Sequence, residues 1–254
     1  MPASVIGAQL YTVRDQMRTP AEVRAAFRRL RDIGYEAVQV SGLGPVSPQE
    51  LAEIAQAAGM QIAATHIGYE QIVGEPQVVI DQHRLWGCRH VAIGGMPGQY
   101  RSAEGLARFA REASAAVKPL IDAGLTFSYH NHSFELERFG GRTGLEILYA
   151  ESDPRCFSAE IDTYWIQHGG ANPVTWLRRL TGRMHLVHLK DMAMVDGTQV
   201  YAEVGEGNLE WEPILQACRD AGVEWYLVEQ DTCRRDPFDS LAISLANLRR
   251  LGLR

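Results

Sequence analysis

Along the chain a helical stretch, a glycine, one to three residues and then a β-branched or apolar run keep recurring. The pattern appears as RLRDIGYEAVQV at Gly34, AQAAGMQIAATH at Gly59 and RLWGCRHVAIGG at Gly87. It returns as LIDAGLTFSYHNH at Gly124, RLTGRMHLVHLK at Gly182 and RDAGVEWYLVEQ at Gly222. A glycine just past a helix takes the left-handed conformation that a side chain would penalise, so each marks a helix-to-strand joint. Adding the opening run VIGAQL and CFSAEID after Pro154 gives about eight strands with helices between them. The helical stretches are amphipathic: from Ala21 to Ile33, Val23, Ala26, Phe27, Leu30 and Ile33 form one stripe, with Glu22, Arg24, Arg28 and Arg31 off it. Pro20, Pro48, Pro173 and Pro237 fall near helix starts, where a missing N–H costs nothing. The strands are short and apolar, as expected when layers cover both faces.

Strand-helix alternation with right-handed crossovers builds either an open doubly wound sheet or a closed eightfold barrel. The first strand leads into AQLYTVRDQM, which lacks the GxGxxG turn of a dinucleotide-binding sheet. About eight units in 254 residues, with no proline- or serine-rich linker, predict an α/β fold, a single-domain (β/α)8 TIM barrel spanning 1–254.

Composition adds exclusions. With 46% hydrophobic and 22% charged residues the chain reads as an ordinary globular protein, not a disordered one. A net charge of -6 offers no field for a polyanion, so nucleic acid is not expected as the partner. Cys88, Cys156, Cys218 and Cys233 form no CxxC pair. No apolar run approaches a membrane span, the N-terminus carries no signal-peptide pattern, and a cytoplasmic location is the expectation.

In a barrel of this kind, chemistry collects where strands end at the carboxyl-terminal face. Strand 3 ends with His66, and strand 5 with His130, Asn131, His132 and Glu135. Strand 6 ends with Glu160 and Asp162, strand 7 with His188, Lys190 and Asp191, and strand 8 with Glu229 and Asp231. Residues two apart share a face, so His130 with His132, Glu160 with Asp162, and His188 with Lys190 point together. One such residue alone is more often structural. Four adjacent strands each aiming a metal-binding or acid-base group at one space are hard to explain by packing, because inward charges are costly unless paired or metal-bound.

The segments AQLYTVRD, YHNHSFELE, EIDTYW, HLVHLKDM, VGEGNLEW and LVEQD, in this order, resemble the sugar phosphate isomerase/epimerase group with a xylose-isomerase-like barrel. That group also takes in ketose 3-epimerases, inosose dehydratase and the more distant endonuclease IV. The resemblance implies one divalent metal held from the last four strands, with Asp162, His188 and Glu229 as ligands and His130 where many relatives carry glutamate. A ketose 3-epimerase needs both flanking carboxylates, so the imidazole at His130 turns the expectation toward elimination next to a carbonyl, as in inosose dehydratase or lyases of 3-keto sugars.

The reaction expected is proton abstraction beside a carbonyl of a sugar or cyclitol. Glu229 or Glu135 is the expected base, His130 or His132 the acid, and Lys190 the holder of an oxyanion or hydroxyl. His66, Trp165, His168, Gln9 and Glu206 are candidate pocket residues, with packing the competing reading for Trp165 and a solvated loop for Gln9 and Glu206. Mixed nitrogen and oxygen ligands favour Mn, Co, Zn or Fe over Mg. A homodimer is expected by resemblance, with Leu43, Met96 and Met194 as apolar loop residues for an interface or lid. The rivals are an endonuclease IV-like phosphodiesterase and a barrel that binds sugar without turning it over.

Overall fold

The computed structural model describes residues 6–254, so Val5 of the opening run and the start of the N-terminal segment lie outside the described residues. Eight parallel strands close into a barrel: β1 Ile6–Gln9, β2 Ala37–Val40, β3 Gln61–His66, β4 His90–Ile93, β5 Thr126–His130, β6 Ser158–Asp162, β7 Met184–Leu189 and β8 Trp225–Val228. Neighbours in sequence are neighbours in the sheet, and β8 returns to β1 through Gly7 opposite Leu227. The predicted TIM barrel is the observed architecture.

The local rules read from sequence operate as expected. All six joint glycines have positive φ, from 60° at Gly87 to 113° at Gly34. Helices Pro20–Ile33, Pro48–Ala58, Pro173–Arg179 and Pro237–Arg250 each begin on the predicted proline. Thr19 caps the first of them and Glu22 closes the capping box.

Two layers of packing divide the barrel. Outside the strands, Phe109, Phe127, Tyr129 and Phe157 stack between sheet and helices. Inside, Ala37, Ala63, Ala64, Ala92, Leu186, Trp225 and Leu227 fill the lumen as a separate apolar cluster. The fit is tight enough that a Cβ on Gly7 would stand 2.9 Å from Leu227 Cδ2. This plug leaves the polar strand ends nowhere to face but the carboxyl-terminal mouth.

Two hairpins extend from that mouth. Asp191–Val195 pairs with Thr198–Ala202 through a two-residue Asp196-Gly197 turn with φ of 50° and 74°, both left-handed as such a turn requires. Arg138–Phe139 pairs with Arg142–Thr143. Of the apolar loop residues, Met194 is 59% exposed on the first hairpin, whereas Met96 is buried and lines the cleft described below.

Candidate active site

Strand alternation brings His130, Asp162, His188 and Glu229 together at the barrel mouth, with one ligand atom from each lying within 4.8 Å of all the others. His130 Nε2 is 3.2 Å from Asp162 Oδ2, and His188 Nδ1 is 2.9 Å from Glu229 Oε2. Local structure aims these groups. Asp162 ends β6 and caps the helix Thr163–His168, its Oδ1 accepting from the Trp165 N–H at 2.9 Å, which leaves Oδ2 for the site. Asn131 accepts from the Asp162 N–H at 3.1 Å and fastens the ends of β5 and β6 together.

Lys190 lies among the same oxygens. Its Nζ is 3.0 Å from Asp162 Oδ2, 2.7 Å from Glu229 Oε2 and 2.7 Å from Asp231 Oδ2, and the side chain is fully buried. Burial opposes its charge, but these three carboxylates hold its pKa well above the usual lysine value. Burial likewise pushes up Asp162 and Glu229, yet Lys190 and the neighbouring histidines keep both below the usual carboxylate range. His188 is raised to about 10: burial disfavours its charge, and Glu160 and Glu229 more than compensate. The donor set of two imidazoles and two carboxylates suits a borderline transition ion, and His130 Nδ1 is a buried ring nitrogen with no protein partner among the described residues.

A hydrogen-bonded floor lies beneath. Glu160, fully buried, accepts from His66 Nε2 at 2.6 Å and from Gln39 Nε2 at 2.7 Å. Gln39 Oε1 in turn receives Gln9 Nε2 at 2.6 Å and faces His188 Nε2 at 2.6 Å. Although burial raises it, His188 and His66 hold the Glu160 carboxyl well below its ordinary value. Above the site opens a cleft of about 540 Å³, lined by His66, His130, His132, Glu229 and Asp231, with Tyr69, Met96 and Arg101 on its loop side.

The other sequence-selected residues fall into two groups. Trp165 borders the site, its ring 5.2 Å from that of His132 and 5.5 Å from Lys190 Nζ, and its buried Nε1 has no hydrogen-bond partner among the described residues. Burial, helped by the His130 ring, lowers His132 to about 3, so this imidazole is neutral near neutral pH. Gln9 is no loop residue: it ends β1, fully buried in the floor. Three residues stand apart from the cleft. Glu135 turns back under its own loop, accepting from Tyr129 Oη at 2.6 Å and from the His132 N–H at 2.9 Å, because the turn Phe134–Leu136 reverses the chain there. His168 is exposed and bonded to Gln199 at 2.6 Å, and Glu206 is exposed and accepts from Asn247 at 2.9 Å.

Sequence reading placed Glu160 on the right face without giving it a role, and missed Gln39 altogether. Alternation on β2 was the available signal for Gln39. Asp191 also emerges as a hub: it accepts from the N–H groups of Gly205, Gly207 and Leu209 and from Trp211 Nε1, at 2.6 to 3.2 Å. The Gly205-x-Gly207 spacing records this, since a side chain on Gly207 would collide with the Asp191 carboxylate.

Comparison with known proteins agrees with this architecture. A curated inosose dehydratase from Geobacillus thermodenitrificans is 28% identical over 138 residues, 46% of this chain and 45% of that protein, so the match spans about half of each. A sugar phosphate isomerase/epimerase from Parabacteroides distasonis superposes with a TM-score of 0.78 at 20% identity, covering 98% of this chain and 94% of the other. An L-ribulose 3-epimerase superposes with 0.72 at 16% identity over 98% and 94%. A probable 3-DHS dehydratase from Bacillus anthracis gives 0.70 at 12% identity over 96% and 98%. At these identities the superpositions show the shared fold. The sequence model of one family matches residues 27–251, nearly the whole of the barrel just described, and the chain therefore belongs to the xylose isomerase-like TIM barrel family.

Proposed function

We propose that this protein is a divalent-metal-dependent isomerase, epimerase or lyase that removes a proton beside the carbonyl of a keto sugar or cyclitol. The observation that carries the reading is the convergence of His130, Asp162, His188 and Glu229 at the base of an open cleft. These four would hold the ion, and Mn, Co, Zn or Fe suits two nitrogens and two oxygens better than Mg. Bound there, the cation supplies a Lewis acid for the carbonyl oxygen.

The chain's own groups do the rest. Glu229, ionised and lining the cleft, takes the proton from carbon. Lys190, held as an ammonium with Asp162, Glu229 and Asp231 around its three N–H groups, places a fixed positive charge behind the oxygen on which negative charge develops. His132, neutral and at the cleft wall, orients a hydroxyl, and Trp165 offers an aromatic face beside it. Glu135 is left out, because it is fully buried behind its own loop, bonded to Tyr129 and His132 and away from the cleft. Dehydration and epimerisation share this first step, and the imidazole at His130 in place of a second carboxylate favours elimination. The net charge of -6 favours a small polyol over a nucleic acid, and the endonuclease IV-like alternative would declare itself by nicking plasmid DNA.

The test is metal analysis joined to solvent exchange. Wild-type protein is expected to retain one divalent ion, and Asp162→Ala and His188→Ala to lose it; equal metal content in all three rejects the site. Deuterium uptake from solvent into L-ribulose, D-allulose or an inosose should require the ion. Sugar binding without exchange or turnover across the panel would leave a binding protein instead.

A further inference from the structure

The acidic groups on the barrel side of the cleft are matched within the protein, since Lys190 Nζ is 2.7 Å from both Glu229 and Asp231. One cation of the cleft wall is not. Arg14, stacked on the cleft residue Tyr11 at 4.0 Å, donates to the carbonyls of Tyr11 and Asp231 at 2.8 and 3.0 Å and so spends its N–H groups. Arg101, in the loop after β4, has no such partner. Among the described residues its guanidinium makes neither an ion pair nor a hydrogen bond, although Glu70 lines the same cleft. Other arginines of this acidic chain do find a carboxylate: Arg24, Arg111 and Arg179 meet Glu50, Glu151 and Glu146 at 2.5 to 2.6 Å.

Stacking holds Arg101 instead. Its Cζ stands 3.9 Å over the centre of the Phe134 ring, and Phe134 in turn stacks on His132 at 6.0 Å with 19° between the planes. The turn Phe134–Leu136, which buries Glu135, is what carries this platform to the loop after β4. A guanidinium over an aromatic face keeps its edge N–H groups free, and their fork matches the paired oxygens of a carboxylate or phosphate. Arg101 therefore brings an uncompensated charge, with unused donors, to the wall of the cleft that holds His130 and Glu229.

We infer that Arg101 is a specificity-determining residue that binds an anionic oxygen group on the substrate, a carboxylate or a phosphate ester, so that the polyol taken by this site is charged rather than neutral. The inference deepens the proposed function and rests on it for placing the substrate in this cleft. A chain of net charge -6 repels such a molecule at long range, which makes a local cation necessary to hold it. The cleft, at about 540 Å³, falls within the roughly 300–1,000 Å³ of small-molecule sites and has room for the added group.

Binding calorimetry with matched sugars tests this on the zinc-loaded protein. The probes are D-fructose, its terminal phosphate ester and its terminal carboxylate D-fructuronate, with the same three forms of D-allulose. In the wild type at least one charged form is expected to bind about 10- to 100-fold more tightly than its neutral parent, the range for one charge-assisted pair. Arg101→Gln should bring charged and neutral forms to equal affinity, and Arg101→Lys should keep part of the difference, because an ammonium supplies charge without the fork. Whichever anion shows the larger excess identifies the group, carboxylate or phosphate. Charged forms that bind no better than neutral ones in the wild type, or that do not bind at all, overturn the inference whether or not a variant folds. An excess that persists in a folded Arg101→Gln protein overturns it too, since the bound zinc or another group would then be its source. Charged sugars that bind through Arg101 but never exchange hydrogen with solvent would remove proton abstraction and leave the anion preference standing; exchange into neutral sugars with no charged form preferred would do the reverse.

Discussion

The Lys190 ammonium and the Glu229 carboxylate meet at 2.7 Å inside the barrel mouth, and the same carboxylate oxygen is 2.9 Å from His188 Nδ1. One oxygen thus serves a fixed cation and stands in the group of candidate metal ligands. Lys190 also reaches Asp162 and Asp231, so it balances charge that a metal would otherwise have to balance alone.

Lys190→Met should therefore unfold more easily without metal, because three carboxylates lose their partner in a buried setting. The expected cost is about 3–5 kcal/mol, the range for breaking a buried ion pair. Divalent ion should restore more stability to the variant than to the wild type. Thermal unfolding with chelator and with zinc measures both, and an unchanged midpoint under chelator would refute the charge-balancing role.

Glu229→Gln and Glu135→Gln are expected to part company. Glu229 lines the cleft and Glu135 does not, so the first substitution should abolish solvent exchange into a keto sugar substrate while the second keeps it. A glutamine at position 135 still offers one oxygen to Tyr129 and His132, which limits the loss of stability to about 1–3 kcal/mol. Exchange that disappears in Glu135→Gln, in a protein that still melts cooperatively, would return Glu135 to the list of bases.

Stability should fall with acid for reasons remote from the active site. His83 is buried, its Nδ1 donating to the Val79 carbonyl at 2.7 Å and its Nε2 lying 2.8 Å from the Thr65 hydroxyl. Burial lowers its pKa, and burial, together with His185 and Arg89, lowers that of His90 to about 4 against the pull of Glu224. The unfolded chain takes up these protons first, near pH 6.5. Their contribution is complete above that pH and is lost as pH falls toward the folded values, with a slope of up to about 1.4 kcal/mol per unit for each ring. Urea unfolding at about pH 7 and about pH 5 should show a shallower decline for His83→Gln than for the wild type. Parallel declines would show that His83 is not depressed.

The barrel was legible because its signals are local. Joint glycines need left-handed φ, prolines tolerate the first helical turn, and apolar runs repeat at fixed intervals; each constraint acts within a few residues. The carboxyl-terminal location of the polar groups followed from the fold class, and alternation placed His130, Asp162, His188 and Glu229 on inward faces.

Other assignments depended on contacts far apart in sequence. Gln9 is by sequence a candidate for the sugar pocket with a solvated loop as the competing reading, yet it is buried in the floor 30 positions from its partner Gln39, which itself reaches Glu160 another 121 positions on. Glu135 read as a spare carboxylate, and a single reversal at Phe134–Leu136 turned it away from the cleft. His168 and Glu206 follow strand and loop motifs that do carry the site, but their own side chains bond outward, to Gln199 and Asn247. The chain by itself determined which residues face the lumen, since that is a matter of period along a strand. Only the closed barrel decided which of them touch, because hydrogen-bond partners and shared charge are set by the stagger of eight strands around one axis, and no local pattern encodes that.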